Sequence, residues 1–191
     1  MKYRILETTP GLLVPIEDIR EYVRVGQDVE EEDGVLTTLH DAAVDAVEQE
    51  SGTFLRRRQI EVTGFGGGWE LCIELPRRPL IEVTSLQVEN PANSEVIEDV
   101  SAWTVEDSSF RTSVSAKLSQ GVRGRFGVRL IGDFGFDPQC EAAKQAVLIQ
   151  IAHLHRNRED ETVARHVFAA YNSYLYAIRN QAYERSPGWK V

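Results

Sequence analysis

The 191-residue chain predicts an α+β protein, an α-helical bundle of about four helices into which an antiparallel β-sheet region is inserted. Three observations predict it. Apolar residues recur at helical spacing over residues 14–55, switch to a spacing of two over 57–132, and return to helical spacing over 137–183. The length suits a single domain, with residues 184–191 as a tail. A composition 42% hydrophobic and 27% charged lies in the globular range and excludes collagen-like, low-complexity or wholly disordered chains.

The elements follow in order. Pro15 suits the first turn of a short helix in which Ile16, Ile19, Tyr22 and Val23 share a face, running to about Arg24 and ended by Gly26. A second helix is predicted from the stripe Val35, Leu39, Ala42, Ala43, Ala46 and Val47, with acids at its N-terminus, where the helix dipole favours them, and Gly52 as its stop. The clearest strand is WELCIEL: Trp69, Leu71, Ile73 and Leu75 point one way, Glu70, Cys72 and Glu74 the other. It is expected to pair with RRQIEVTGF across a hairpin loop at glycines 66–68. Alternation at Ile81 and Val83, Trp103 and Val105, Val114 to Leu118, and Phe126 to Leu130 brings the strands to five or six, with PANSEVIED as a loop. After a start at Asp137 and Pro138, a long helix is apolar on more than one side from Ala142 to Leu154 and is expected in the centre of the core. A last helix spans roughly Glu161 to Tyr183, and SPGWKV reads as a frayed end.

Charge is unevenly placed. Residues 1–55 carry four basic residues against thirteen acids, which accounts for the whole net charge of −9. Residues 162–191 carry four basic residues against Glu184 alone. An acidic head and a basic tail either meet across copies, head to tail, or only keep the protein soluble. Neither gives the clustered basic face of a duplex-DNA binder. No apolar run approaches the roughly 20 residues of a membrane span, and the N-terminal stretch lacks the apolar region of a secretory signal, so the chain is expected to stay in the cytosol where it is made.

Local support for catalysis is absent. GFGGG lacks the Lys and Ser or Thr of a phosphate loop and precedes a strand. Asp41, Asp45 and Glu48 share one helix face, but no acid has a histidine at ExxH spacing, so a solvated acidic face is the reading for them. His153 and His155 lie about 200° apart around a helix and cannot clamp one metal, so one is expected at the surface and one in the core. Cys72 and Cys140 have no CxxC spacing or basic flank, so both are expected to be reduced, structural and partly buried. No catalytic, metal or cofactor residue is assigned.

Three stretches carry a family resemblance. PIEDIREYVRV with EEEDGVLTTLHDAAVDAVEQESGTFL resembles the opening of the tailed-bacteriophage head–tail connector (adaptor) family, at Arg24, Asp33, Ala43, Val47, Glu48 and Gly52. ELPRRPLIEVTSL is similar to that family's signature at Leu75, Pro76, Pro79 and Val83. GDFGFDPQCEAAKQAVLIQIAHLHRNRED resembles its returning helix, ending at Asn157, Arg158 and Glu159. His155 stands where an aromatic is common, and residues 161–180 lack the proline-containing ending of many members.

The resemblance implies a structural protein of a phage or a phage-like gene transfer agent, located in the virion at the head–tail joint and assembled in the bacterial host cytoplasm. Such adaptors form a ring, usually of twelve copies, beneath the portal protein. The ring supports a stopper or tail protein while DNA passes through its lumen without sequence-specific binding, and no membrane, cofactor or active site is involved. The acidic face Asp41, Asp45 and Glu48 is then expected at a ring contact or in the lumen, where it would repel DNA phosphates. The family's C-terminal segment docks on the portal, and here the matching residues are Tyr171, Tyr174, Leu175, Ile178, Arg179, Tyr183 and Trp189. Tyr171, Tyr174 and Leu175 suit packing on the long helix equally well. Competing readings are a stopper or tail-completion factor, which tends to be a small β-rich barrel, and a small enzyme of unassigned class.

Overall fold

The structure, a computed structural model, describes residues 2–26, 32–107, 112–136, 140–156 and 167–184. The fold is α+β, and its described residues form six antiparallel strands and four helices. In chain order these are β1 Lys2–Thr8, α1 Ile16–Val23, α2 Asp33–Ser51, β2 Arg58–Glu74, β3 Leu80–Glu89, β4 Val96–Asp99, β5 Thr104–Asp107, β6 Thr112–Phe134, α3 Glu141–Arg156 and α4 Val167–Glu184. They fall into two compact units, one of Met1–Thr9, Arg56–Asp137 and Ala182–Val191, the other of Pro10–Leu55 and Pro138–Gln181.

In the sheet unit the strand order is β1-β2-β6-β3-β4, with β5 pairing on β6. The expected hairpin at glycines 66–68 does not form. β2 runs straight through them, and both of its halves pair with β6: Arg58–Gly67 lie against Arg125–Phe134, and Gly68–Glu74 against Ser113–Val122. The glycines instead carry the register shifts of a bulge, with Gly68 at φ 88° and Gly124 at φ 95°, so they bend a two-stranded ribbon where a loop was expected to reverse it. Gly66 is needed for another reason, because a Cβ there would strike the Phe126 ring.

The core face of this sheet reads Ile60 and Val62 on β2, Leu86 and Val88 on β3, and Val128 and Leu130 on β6, all buried. Leu71 and Ile73 are buried as their alternation requires, whereas Trp69, beside the bulge, is 68% exposed. On β3 the buried residues are Leu80, Val83, Leu86 and Val88, because two register shifts break the period of two that Ile81 and Val83 suggest. Two strands lie where none was expected. β1 pairs with β2 over Lys2–Thr8, and VIED forms β4 against β3 after a turn closed by Asn90 and Glu95.

In the helical unit α1 ends at Arg24, which adopts the left-handed conformation at φ 61° while Val25 N–H reaches back to Arg20 O; Gly26 lies beyond the stop. Tyr22 is exposed, and Ile19 is the residue α1 buries. Asp33, in the first turn of α2, receives Arg20 of α1 through Nε at 2.8 Å and Nη2 at 2.6 Å, a forked ion pair that fixes the two helices to each other. Gly52 ends α2 at φ 70°, donating its N–H to Glu48 O.

The face α2 buries is Leu36, His40, Ala43, Val44 and Val47, rotated from the expected stripe, and Val35 and Ala42 are exposed. α3 packs on α1 and α2, and of its sixteen residues only Glu141 and Arg156 are exposed, in keeping with an all-round apolar helix. Its expected start at Asp137 and Pro138, and the first turns expected for α4, lie outside the described residues.

Candidate functional site

The acidic face of α2 is built differently from what its spacing suggests. Asp41 and Asp45 are exposed. Glu48, seven residues after Asp41, is buried, because Gly52 turns the chain back so that Thr53, Phe54 and Leu55 cover the last turn of the helix. Its Oε1 accepts the Leu55 N–H at 2.9 Å, so Glu48 holds the exit from α2 and takes no part in a wet face. Helical periodicity cannot see such a cover, since it comes from residues beyond the helix.

Beside Asp41 lies His40, fully buried, which the spacing of apolar residues passes over. Its Nε2 accepts the N–H of Leu13 at 3.1 Å and that of Val14 at 3.4 Å, and its Nδ1 lies 3.2 Å from Asp41 Oδ1. A ring nitrogen that accepts two backbone donors carries no proton, so the proton sits on Nδ1 and points at Asp41. The imidazole thus serves the backbone leading into α1 and anchors one carboxylate of the exposed face. The signal was available in the sequence, because His40 falls four residues after Leu36 and three before Ala43.

Among the C-terminal residues, burial separates two groups. Tyr171, Leu175 and Ile178 are buried, at 4%, 6% and 0% exposure, which takes them from the expected contact surface into the interior. Burial and the neighbouring Glu50 carboxylate raise the Tyr171 phenol well above the ordinary tyrosine range. Tyr174 is half-buried. Arg179 is exposed but engaged: Nη2 donates to Glu50 O at 2.5 Å and Nε to Ser51 O at 3.4 Å. A cation on the last carbonyls of α2 neutralises the negative end of its dipole, so Arg179 caps α2. The Tyr183 side chain and Trp189 lie outside the described residues. Among the described side chains of α4, the large apolar group that is exposed is Tyr176, at 67%, on the opposite side from the expected stripe.

The sheet unit also exposes large apolar groups, Tyr3, Ile5 and Leu6 on β1, Val96 and Ile97 on β4, and Phe65 and Trp69 on β2. Arg125 stacks on the Phe65 ring at 3.9 Å. One face of the sheet bears a row of alternating charges: Arg4 Nη2 meets Glu61 at 3.3 Å, Arg129 Nε meets the same Glu61 oxygen at 3.2 Å, and Arg129 Nη1 meets Glu89 at 3.2 Å. The row crosses β1, β2, β6 and β3, four neighbouring strands.

No group of three or more His, Cys, Asp or Glu able to hold a metal occurs among the described residues, and no described helix is long and apolar enough to cross a membrane. His153 and His155 are both half-buried; neither is a full surface or core position. Cys140 is buried and donates to Gln181 Oε1 at 2.8 Å, whereas Cys72 is exposed on the wet face of β2.

No family model and no curated protein sequence matches the chain. Solved structures do. A chain in the neck of an empty gene transfer agent (GTA) particle, computed with C6 symmetry, superposes with a TM-score of 0.73 at 23% identity, covering 91% of this chain and 95% of that one. A chain in the virion of a native GTA particle gives 0.66 at 21% identity over 91% and 95%, and one in the neck of the native particle, computed with C12 symmetry, gives 0.65 at 20% over 91% and 94%. At these identities the likeness establishes a shared fold, nearly end to end.

Proposed function

We propose that the chain is a non-enzymatic neck subunit of a phage-like particle, and specifically the head–tail connector (adaptor), forming a ring of about twelve copies beneath the portal. The ring joins the DNA-filled head to the stopper or tail and lets DNA pass through its lumen. The observation that carries this reading is the end-to-end likeness of fold to chains in GTA necks, two of them computed with C6 and C12 symmetry. The connector-like stretches along the sequence run in the same order as the elements they form, at α1 and α2, at the start of β3, and at α3.

The exposed residues support a role in assembly. A closed ring of identical subunits needs two different, complementary patches per copy. Asp41 and Asp45 provide an exposed acidic patch on α2 that suits either a ring contact or a lumen that DNA phosphates do not stick to. For the portal contact, the described residues leave Tyr174 of α4 half-buried and Tyr176 exposed; the Tyr183 side chain and Trp189, from the expected set, lie outside the described residues.

Negative-stain microscopy of particles from a host lacking the gene tests the proposal. Filled or emptied heads beside separate, complete tails are expected. Normal joined particles would overturn it. Removing residues after 160 is expected to abolish portal binding, and retention of binding would reject the C-terminal segment as the docking element.

A further inference from the structure

We infer that neighbouring copies of this chain join edge to edge through their sheets, the β1 edge of one copy pairing with the β4 edge of the next. The inference rests on the ring reading above and specifies the contact within it.

β1 and β4 are the two ends of the strand order, so each pairs its backbone with one neighbouring strand, and the Glu98 side chain of β4 also accepts the Ser119 N–H of β6 at 2.9 Å. Open edges invite pairing and are normally covered or guarded. β1 buries none of its seven side chains. Directly opposed residues share a face, so the pairs Tyr3 with Val62 and Ile5 with Ile60 show that the buried apolar face of the sheet continues onto β1, where Tyr3 and Ile5 remain 44% and 41% exposed. At the other end Val96 and Ile97 are 44% and 49% exposed. On β4 the apolar face of Val88 passes to Glu98, and Val96 lies opposite Glu89 on the charged face, so the apolar face is left unfinished at the β1 end while both edges expose apolar side chains.

Charge selects which edges meet. The opposite face holds the row Arg4, Glu61, Arg129 and Glu89, and Gln87 on that face bonds Asp99 of β4 at 2.8 Å. The row thus begins with basic residues on β1, Lys2 and Arg4, and ends with acids on β3 and β4, Glu89 and Asp99. β1 carries Lys2 and Arg4 against Glu7, a net positive edge, and β4 carries Glu98 and Asp99, so pairing β4 with β4 would set acid against acid while β1 offers it the opposite net charge. Pairing β1 with a neighbour's β4 alone continues the alternation, and it does so head to tail, the arrangement that generates a ring.

The test uses particles assembled from chains in which Cys72→Ser and Cys140→Ala remove the native thiols, Tyr3→Cys marks β1, and Ile97→Cys marks β4. Treatment with a short bismaleimide is expected to give a ladder of covalent multimers when both marks are in one chain, with a yield about tenfold or more above that of either mark alone, because the thiols are held at high effective concentration. Particles whose necks are intact by microscopy but that give no ladder, or that cross-link equally with one mark, would overturn the edge pairing and leave the ring reading standing. Joined particles that contain no copy of the chain would overturn both.

Discussion

Replacing His40 by Phe keeps an aromatic ring in a fully buried position of α2 and removes the acceptor for two backbone N–H groups. A buried donor left without a partner costs about 1–3 kcal/mol. The Leu13 bond, at 3.1 Å, belongs in the middle of that range and the longer Val14 bond, at 3.4 Å, at its low end, so the sum is about 2–4 kcal/mol. With a urea m-value of about 2 kcal/mol/M for a chain of this size, the midpoint followed by far-ultraviolet circular dichroism should fall by about 1–2 M. His40→Gln, whose amide oxygen can accept, should recover part of that loss. Hydrogen exchange adds a local readout, since the amides of Leu13 and Val14 should lose protection before those of α2. A His40→Phe protein within about 0.5 kcal/mol of the parent, or one whose Leu13 and Val14 amides exchange unchanged, would refute the assignment of His40 as the acceptor that fixes the approach to α1.

Other perturbations have equally specific outcomes. Glu61→Gln breaks the middle of the charge row and should cost about 1–2 kcal/mol in dilute buffer, with the difference from the parent shrinking in urea titrations at 1 M salt, since Arg4 and Arg129 are partly exposed. Gly132→Ala places a Cβ 2.7 Å from Glu82 O, a backbone atom that cannot step aside, so a loss of about 2–4 kcal/mol or failure to accumulate as soluble protein is expected. Gly34→Ala, in the first turn of α2 with nothing within 4 Å of the new Cβ, should instead stabilise by about 0.5–1 kcal/mol in the same assay. Tyr171 holds its proton more tightly folded than unfolded, so its contribution is complete below the ordinary tyrosine pKa of about 10 and is lost as pH rises above it. Tyr171→Phe should flatten that alkaline decline in stability, and one tyrosinate absorbance step should move from the high end of the titration.

Much of the fold was legible because burial imposes a period on sequence. The alternation of Leu71 and Ile73 with Glu70, Cys72 and Glu74, the all-round apolar α3, and the stop at Gly52 each arise from a local rule that the folded chain obeys. What escaped depends on residues distant in sequence. β1 carries no buried side chain, and its alternation of Tyr3 and Ile5 with Lys2 and Arg4 is short; it is a strand because its backbone pairs with β2. The glycines 66–68 have the composition of a turn, yet the long pairing of β2 with β6 on both sides of them makes them a bulge. Glu48 and Arg179 are polar by type, and each is taken up by a helix end, Glu48 by the chain leaving α2 and Arg179 by the carbonyls at the end of α2. The candidate site was therefore less legible than the fold: spacing places residues on a face, but which face another part of the chain covers is decided in three dimensions.

An enzyme gathers polar groups around a reacting atom, and their convergence is what makes a site recognisable. Here two of the most deeply buried polar groups face backbone: His40 accepts from Leu13 and Val14, and Glu48 from Leu55. Their chemistry is spent inside the fold, on holding helices in place. The groups the chain leaves exposed are of another kind, the apolar side chains of β1 and β4, Trp69, Tyr176 and the carboxylates Asp41 and Asp45, spread over separate surfaces. Under the proposed role, dispersed surfaces of this sort suit a subunit that touches different neighbours at once, and single substitutions on them are expected to have graded effects on assembly in place of the abrupt loss that follows removal of a catalytic group.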